Sequence, residues 1–259
     1  CILLSACFFT SWIMVVNSSL ASLLSNPDLA KGARIASRVY EDAVLPDDVA
    51  PLPTHNASIH QPERVLLTGA NGFLGCFILE QLLQQTRAQV VCLVRGADDA
   101  QAHARLNSAL ISFGLLALID HPRILVLAGD IGMPNLGVPE SRFAELAATI
   151  DAIYHNGAHV NHLFDYSYLY QANVGSTLML LRLACTGKNK SLHFVSTLSA
   201  ASQVNANGEL EESGPADVPP AFVNNGYNLT KWVSERLVWQ AAQRGLSATI
   251  YRPGNITGH

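Results

Sequence analysis

Tyr227 and Lys231 stand four residues apart in "NGYNLTKW", and on a helix that spacing stacks both side chains on one face. A phenol, with an ordinary pKa of about 10, exchanges protons poorly near neutrality, but an adjacent ammonium favours its ionised form and lowers that value. Alone, Tyr-x-x-x-Lys reads just as well as a packing tyrosine beside a surface lysine. Here it is joined by "HFVSTLS", in which Ser196 and Thr197 close an apolar run and would project hydroxyls from the end of a strand. Hydroxyl plus phenol makes a two-donor site for a developing oxyanion, where a substrate carbonyl would meet a nicotinamide.

A second stretch, "TGANGFLG" from Thr68 to Gly75, would hold the rest of that coenzyme. It follows the apolar run "RVLL" and precedes the helix-like "CFILEQLLQQ", so backbone N–H groups and a positive helix end converge where no side chain blocks an anion. Gly69 suits a tight turn, Gly72 a close approach to a pyrophosphate, and Gly75 close packing of helix on sheet. Asn71, Phe73 and Leu74 complete the loop. The spacing is G-x-x-G-x-x-G, and its place between strand and helix carries the dinucleotide reading. At the end of the next strand, where a carboxylate would bind the adenosine ribose of NAD, the sequence places Arg95 in "CLVRG". A guanidinium there favours a 2′-phosphate, with Arg105 on the following helix as a second charge, so NADPH is expected.

The elements needed to position these groups are legible in the patterning. From Arg64 onward, short β-branched runs alternate with longer amphipathic ones, giving six strand candidates interleaved with helices. That pattern implies an α/β doubly wound parallel sheet, Rossmann-like, with ligands at the carboxyl ends of its strands. Residues 1–26 form an apolar leader without a charge, 27–62 read as a linker rich in Pro, Asp and Ala, and 63–259 as the nucleotide-binding domain. The leader lacks a basic n-region and an evident cleavage site, so a helix packed on another part of the protein is favoured over a membrane segment. The first residue is Cys1 and the chain stops after a strand-like run, which reads as a fragment.

Composition narrows the partners. With 49% hydrophobic residues and a formal net charge of −4, the chain has material for a large core but no basic surface for nucleic acid. Five cysteines without a C-x-x-C pair suggest neither a disulfide framework nor a zinc site, and read as buried apolar groups in a reducing, cytoplasmic setting. The sequon at Asn228 lies beside Tyr227, where a glycan would obstruct the site. His155, His159 and His162 have helical spacing but fall across a strand end and its loop, so no metal site is expected. The acidic "ELEESGPADVPP" reads as a solvated loop placed to gate Tyr227.

Taken together, "VLLTGANGFLG", "VVCLVRG", "LAGDI", "IYHNGAHVN", "YLYQANVGST", "LHFVSTLS", "NGYNLTKWVSERLV" and "GLSATIYRPGNITGH" resemble the extended short-chain dehydrogenase/reductases. Within them the chain is similar to the thioester reductase domains of nonribosomal peptide synthetases, carboxylic acid reductases and aminoadipate reductases, and more distantly to fatty acyl-CoA reductases. The resemblance implies Thr197, Tyr227 and Lys231 as the catalytic trio. It also implies Asp130 and Ile131 near the adenine, Asn156, Gly157, Ala158 and Asn173 along the cofactor wall, and Pro253 and Gly254 near the nicotinamide. The implied activity is NADPH-dependent reduction of an acyl or peptidyl thioester, carried by an upstream phosphopantetheinylated domain, to an aldehyde or on to an alcohol. The sequence departs from the pattern at Asp165, where the family usually has proline, and lacks the substrate lid that follows the last strand. Two rivals remain: a sugar-nucleotide epimerase or dehydratase on the same scaffold, and a non-catalytic nucleotide-binding fold-mate.

Overall fold

The computed structural model describes residues 27–53, 61–201, 207, 209, 214–221 and 225–256. Two compact units are defined, Cys1–Asp42 and Ala43–His259. The apolar leader lies outside the described residues, as does most of the acidic segment expected to gate Tyr227.

In the first unit, Pro27–Asp42 forms a helix, α1. Pro27 and Asp28 open it as a fixed φ and a negative charge favour, and an Ala- and Arg-rich interior follows. Ser37 donates to Glu41 at 2.7 Å and Arg38 pairs with Asp42 at 3.4 Å across successive turns. This corrects the linker reading of residues 27–42.

The second unit carries six parallel strands: β1 Arg64–Thr68, β2 Gln89–Val94, β3 Ile124–Ala128, β4 Ala152–His155, β5 Ser191–Val195 and β6 Ala248–Tyr251. Their order is β3-β2-β1-β4-β5-β6, so the sheet reverses direction of growth between β1 and β4. The doubly wound expectation holds. Val65, Leu66 and Leu67 of β1 are fully buried, as a strand covered on both faces requires. Helices α2 (Phe73–Gln85) and α3 (Asp99–Ser112) pack Cys76, Leu79, Leu106 and Leu110 onto Val65, Leu67, Val90 and Cys92. The Arg123 guanidinium closes the carbonyl end of α2, donating to the carbonyls of Thr86 at 2.8 Å and Ala88 at 3.2 Å.

Helix α4 (Glu140–Thr149) leads into β4. Beyond β4, the short α5 (Tyr166–Tyr170) runs through a π-helical turn, Gln171–Gly175, into α6 (Ser176–Ala184). Helix α7, Gly226–Gln243, buries Trp232, Val233, Leu237 and Val238, as its amphipathic pattern anticipates. Residues 43–53 form a packed strap rather than a free linker. Arg244 donates to the carbonyls of Leu45 at 2.8 Å and Val49 at 2.9 Å, and Asn189 exchanges two hydrogen bonds with the Leu52 backbone. This unit therefore begins at Ala43, upstream of the expected boundary at residue 63.

The last strand is fixed by charge. Glu235 of α7 is fully buried, and Arg252, just past β6, meets it in a forked pair with bonds of 3.0 and 2.7 Å while also donating to the Gly214 carbonyl. Removing one partner strands the other charge in the interior. Arg252→Leu is expected to cost about 3–5 kcal/mol in urea unfolding, as for other broken buried pairs, whereas a loss below about 1 kcal/mol would mean that Glu235 is readily protonated or rehydrated.

Candidate active site

The site is built from backbone before side chains. Gly69 has φ +70°, and a Cβ there would lie 2.7 Å from the Gly157 Cα. At Gly75 a Cβ would meet the Gly69 carbonyl oxygen at a separation no atoms adopt. Three chain segments, from the ends of β1 and β4 and the first turn of α2, thus meet where only glycine fits. Gly72, the N-cap of α2, is exposed and supplies no capping side chain, and the helix has no acidic residue in its first turn. The N–H groups of Phe73 and Leu74 therefore lack intrahelical acceptors at a positive helix end, as an anion site requires. The Phe73 ring packs away from this mouth, edge-on to Phe77 and Phe113 at 5.4 Å each.

Around this cradle the structure gathers most of the expected wall. Asn156 donates its side-chain amide to the Gly69 carbonyl at 3.2 Å. Gly157 donates its backbone N–H to the Thr68 hydroxyl at 3.0 Å. Ile131 reaches Gly157, since a Cβ on that glycine would lie 3.1 Å from its Cδ1. Asp130 is set by an unusual loop: Asn135, Leu136 and Gly137 all have positive φ, and Asp130 accepts from Gly132 N–H at 2.8 Å. A buried leucine in the left-handed region stores strain of about 1–3 kcal/mol, a cost typical of functional loops. Asn173 is buried, and its amide holds the loop after β4 at His159, accepting from His159 N–H at 2.7 Å and donating to the His159 carbonyl at 3.2 Å. Its position on the wall is thus one of support. Arg95 is exposed at the end of β2, and Arg105 is exposed on the second turn of α3.

The catalytic candidates sit at the same carboxyl edge. Thr197, the second residue past the β5 end at Val195, accepts from Ser199 N–H at 3.3 Å, which leaves its hydroxyl proton free to donate. Ser196 Oγ is buried and has no partner among the described residues. Pro253 holds the loop after Thr197 by accepting from Leu198 N–H at 3.1 Å, and Gly254 lies against the Leu198 side chain. A groove of about 1090 Å³ begins here, lined by Leu74, Val195, Leu198 and Pro253 and continuing along the β6 side of the sheet. Tyr227 opens α7. Gly226 before it has no room for a side chain, since a Cβ would collide with the Phe164 carbonyl. Asp165, the departure from the proline pattern, caps α5 by accepting from Tyr168 N–H at 2.9 Å.

The electrostatics differ from the expectation in one respect. Lys231 is 3% exposed and donates to the Val195 carbonyl at 2.8 Å, with its ammonium 4.8 Å above the Phe194 ring. Burial lowers its pKa to about 8, against the opposing pull of Glu235. The Tyr227 phenol is raised by burial rather than lowered by its neighbour, and its ring meets His162 edge-on at 5.4 Å. In this arrangement Tyr227 is a protonated donor, as a reduction needs.

Among the described residues, His155, His159 and His162 do not form a cluster of metal-ligating groups. His155 is instead buried and hydrogen-bonded through both ring nitrogens, to Thr68 and Thr177. Sequence reasoning passed over it as a decoy. Its signal was position, at the end of the strand that flanks the glycine loop. Among the described residues no helix is long and apolar enough to cross a membrane.

The glycine-lined cradle, with an uncapped helix start and an orphaned Ser196 hydroxyl, suits a nicotinamide dinucleotide. Comparison with known proteins agrees. The profile of a family of NAD-binding domains, described as male sterility protein, matches residues 67–259. The isonitrile lipopeptide synthase of Streptomyces coeruleorubidus is 42% identical over 229 residues, which cover 88% of this chain and 15% of that protein. The L-2-aminoadipate reductase of Schizosaccharomyces pombe is 36% identical over 212 residues, covering 77% of this chain and 15% of that one. The chain therefore spans only a small part of the length of either relative. Among solved structures, the terminal R domain from the myxalamid PKS-NRPS biosynthetic pathway superposes with a TM-score of 0.81 at 42% identity, over 87% of this chain and 57% of that chain.

The buried ammonium makes a signed prediction. Because the folded pKa of Lys231, about 8, lies below its ordinary value of 10.5, the cost of burying the charge is fully present below pH 8 and fades as pH rises towards 10.5. Lys231→Met should raise stability at pH 7 by on the order of 1–3 kcal/mol, with the gain gone near pH 10. Urea unfolding of both proteins at the two pH values checks this, and a gain independent of pH would contradict it.

Proposed function

We propose that this chain, which belongs to the male sterility protein family of NAD-binding domains and to the thioester reductase group of the extended short-chain dehydrogenase/reductases, reduces a carrier-bound acyl thioester to an aldehyde with NADPH. The observation that carries this reading is Lys231 donating to the Val195 carbonyl, two residues before Thr197 and at the same carboxyl edge of the sheet as the glycine cradle. The likeness to a lipopeptide synthase and to the R domain of a PKS-NRPS pathway supports a substrate delivered on a phosphopantetheine arm from an upstream carrier domain.

The coenzyme supplies a hydride to the carbonyl carbon. The chain's own groups manage the oxygen. Thr197 donates its free hydroxyl proton as a hydrogen bond to the developing oxyanion, and Tyr227, held protonated by burial, delivers the proton that neutralises it. Lys231, already partly neutralisable, steadies the phenolate that Tyr227 becomes, moving from the Val195 carbonyl to do so. The carbon–sulfur bond of the resulting thiohemiacetal then breaks, the hydroxyl proton passes to the departing thiol, and an aldehyde leaves. The exposure of Arg95 at the end of β2 supports a contact with a 2′-phosphate, and with it NADPH as a consumed reductant. An epimerase holding NAD and recycling it would have no use for that charge.

Tyr227→Phe should cut turnover of an acyl-pantetheine thioester by about a hundredfold or more while NADPH affinity changes less than about threefold, since a general acid acts only in the transition state. Retained reduction would remove the phenol from the mechanism. Arg95→Asp should move the preference towards NADH by at least about tenfold in binding titrations, the loss of a charge-assisted contact plus a repulsion. An unchanged preference would place the 2′-phosphate elsewhere.

A further inference from the structure

His155 is 1% exposed and takes no part in the chemistry proposed above, yet both of its ring nitrogens are bonded to groups that lead into the site. On one side its Nδ1 lies 2.9 Å from the hydroxyl of Thr68, the residue immediately before Gly69. On the other its Nε2 lies 3.2 Å from the Thr177 hydroxyl on α6. The Thr177 hydroxyl donates to the Asn173 carbonyl at 2.7 Å, within the π-helical turn. Asn173 then donates its side-chain amide to the Thr230 hydroxyl at 3.0 Å, and Thr230 directly precedes Lys231 on α7. Ser234, one turn further along α7, adds a second bond to the Asn173 carbonyl at 3.3 Å. A chain of hydrogen bonds therefore runs through one imidazole from the glycine loop to the helix carrying Tyr227 and Lys231, beside a second route along the backbone from Gly157 to His159 and the Asn173 side chain.

The direction of each bond follows from the donor inventory. Gly157 N–H already donates to the Thr68 oxygen, so the single Thr68 proton is free to point at Nδ1. Nδ1 is then an acceptor and Nε2 carries the proton. That proton is donated to Thr177, whose own proton goes to the Asn173 carbonyl. Burial and the nearby Lys231 charge lower the His155 pKa to about 3, so the ring is neutral at working pH. An imidazolium would leave the Thr68 proton without an acceptor. A π-helical turn placed at Asn173 fits the same reading, because it re-aims a carbonyl and an amide that a regular helix would keep for itself.

We infer that His155 is a positioning residue: as the neutral Nε2–H tautomer it locks the dinucleotide loop to the catalytic helix through Thr68, Thr177, Asn173 and Thr230. The inference deepens the proposed function and rests on it for the meaning of the two ends, though not for the network itself.

The test is a double-substitution cycle on the full chain with NADPH as the probe. Thr177 touches neither the glycine loop nor Arg95, yet Thr177→Val should raise the NADPH dissociation constant about fivefold, a coupling of ordinary size for a connected network. In a Thr68→Val background the same substitution should change it by less than about 1.5-fold, because the chain is already cut. Thr177→Ser, which keeps the hydroxyl, should restore parental affinity. A purely structural threonine would lower the melting temperature of Thr177→Val and leave the affinity of the folded protein unchanged, and effects that multiply in the double variant would equally overturn the inference. Proton–nitrogen correlation spectra of the parent at pH 7 supply a readout independent of ligand. His155 should carry its proton on Nε2 alone, and a proton on Nδ1 or on both nitrogens would overturn the assignment. Failure of the parent to bind NADPH would instead count against the proposed function, with the spectra still deciding the state of His155.

Discussion

Backbone-to-backbone contact is the constraint on which the rest of this molecule depends. The ends of β1 and β4 and the start of α2 approach so closely that Gly69, Gly75 and Gly157 sit against one another's main chains, and a single methyl at Gly69 or Gly75 would overlap them. The approach occurs where the sheet reverses its direction of growth, between β1 and β4. There the strand ends splay and leave a crevice, and the absence of side chains turns it into a set of inward N–H groups. A phosphate site of this kind is set by sterics first, and the helix dipole adds to what the glycines permit.

Around that contact the interior is more polar than a core needs to be. Thr68, His155, Asn173, Ser176, Thr177, Thr230, Lys231, Ser234 and Glu235 are all buried. Most of them satisfy one another, and the cost of burying them is offset by the hydrogen bonds they complete. Of the three exceptions, one is Arg64 Nε at the start of β1, and the other two, Ser196 Oγ and Asn228 Oδ1, flank Thr197 and Tyr227 in sequence and lack partners among the described residues. A buried lysine beside them adds a second unfavourable term. Part of the cost of these buried polar groups therefore falls where the proposed reaction takes place, as evolved active sites commonly show.

Much of this was legible in the chain itself. Six β-branched runs with intervening amphipathic segments specify a parallel sheet because each strand must be apolar on both faces, and all six appear. The glycine spacing located the cradle because its requirement is local: no side chain is tolerated, so the residue type records the geometry. Tyr227 and Lys231 were found by helical periodicity. What escaped was nonlocal. Nothing in "YHNGAHVN" says that His155 will meet Thr68 and Thr177, residues 87 and 22 positions away, since those contacts exist only once β1, β4 and α6 are assembled. Arg252 and Glu235 hide for the same reason. The Tyr227 pKa was misjudged because spacing reports which side chains share a helix face, but not how deeply each is buried or which carbonyl an ammonium has already chosen. Helix α1 was missed because Pro and Asp at its flanks were read as linker composition, although both are ordinary at a helix start.

The central claim, that residues Thr68–Gly75 grip the diphosphate of a nicotinamide coenzyme, is tested most directly by amide hydrogen exchange with and without saturating NADPH. Slowed exchange is expected at Phe73 and Leu74, whose N–H groups are left open by the helix start, together with the segment around Asn156 and Gly157. Protection confined to other parts of the sheet edge, or no change at these amides while the coenzyme is demonstrably bound, would contradict it.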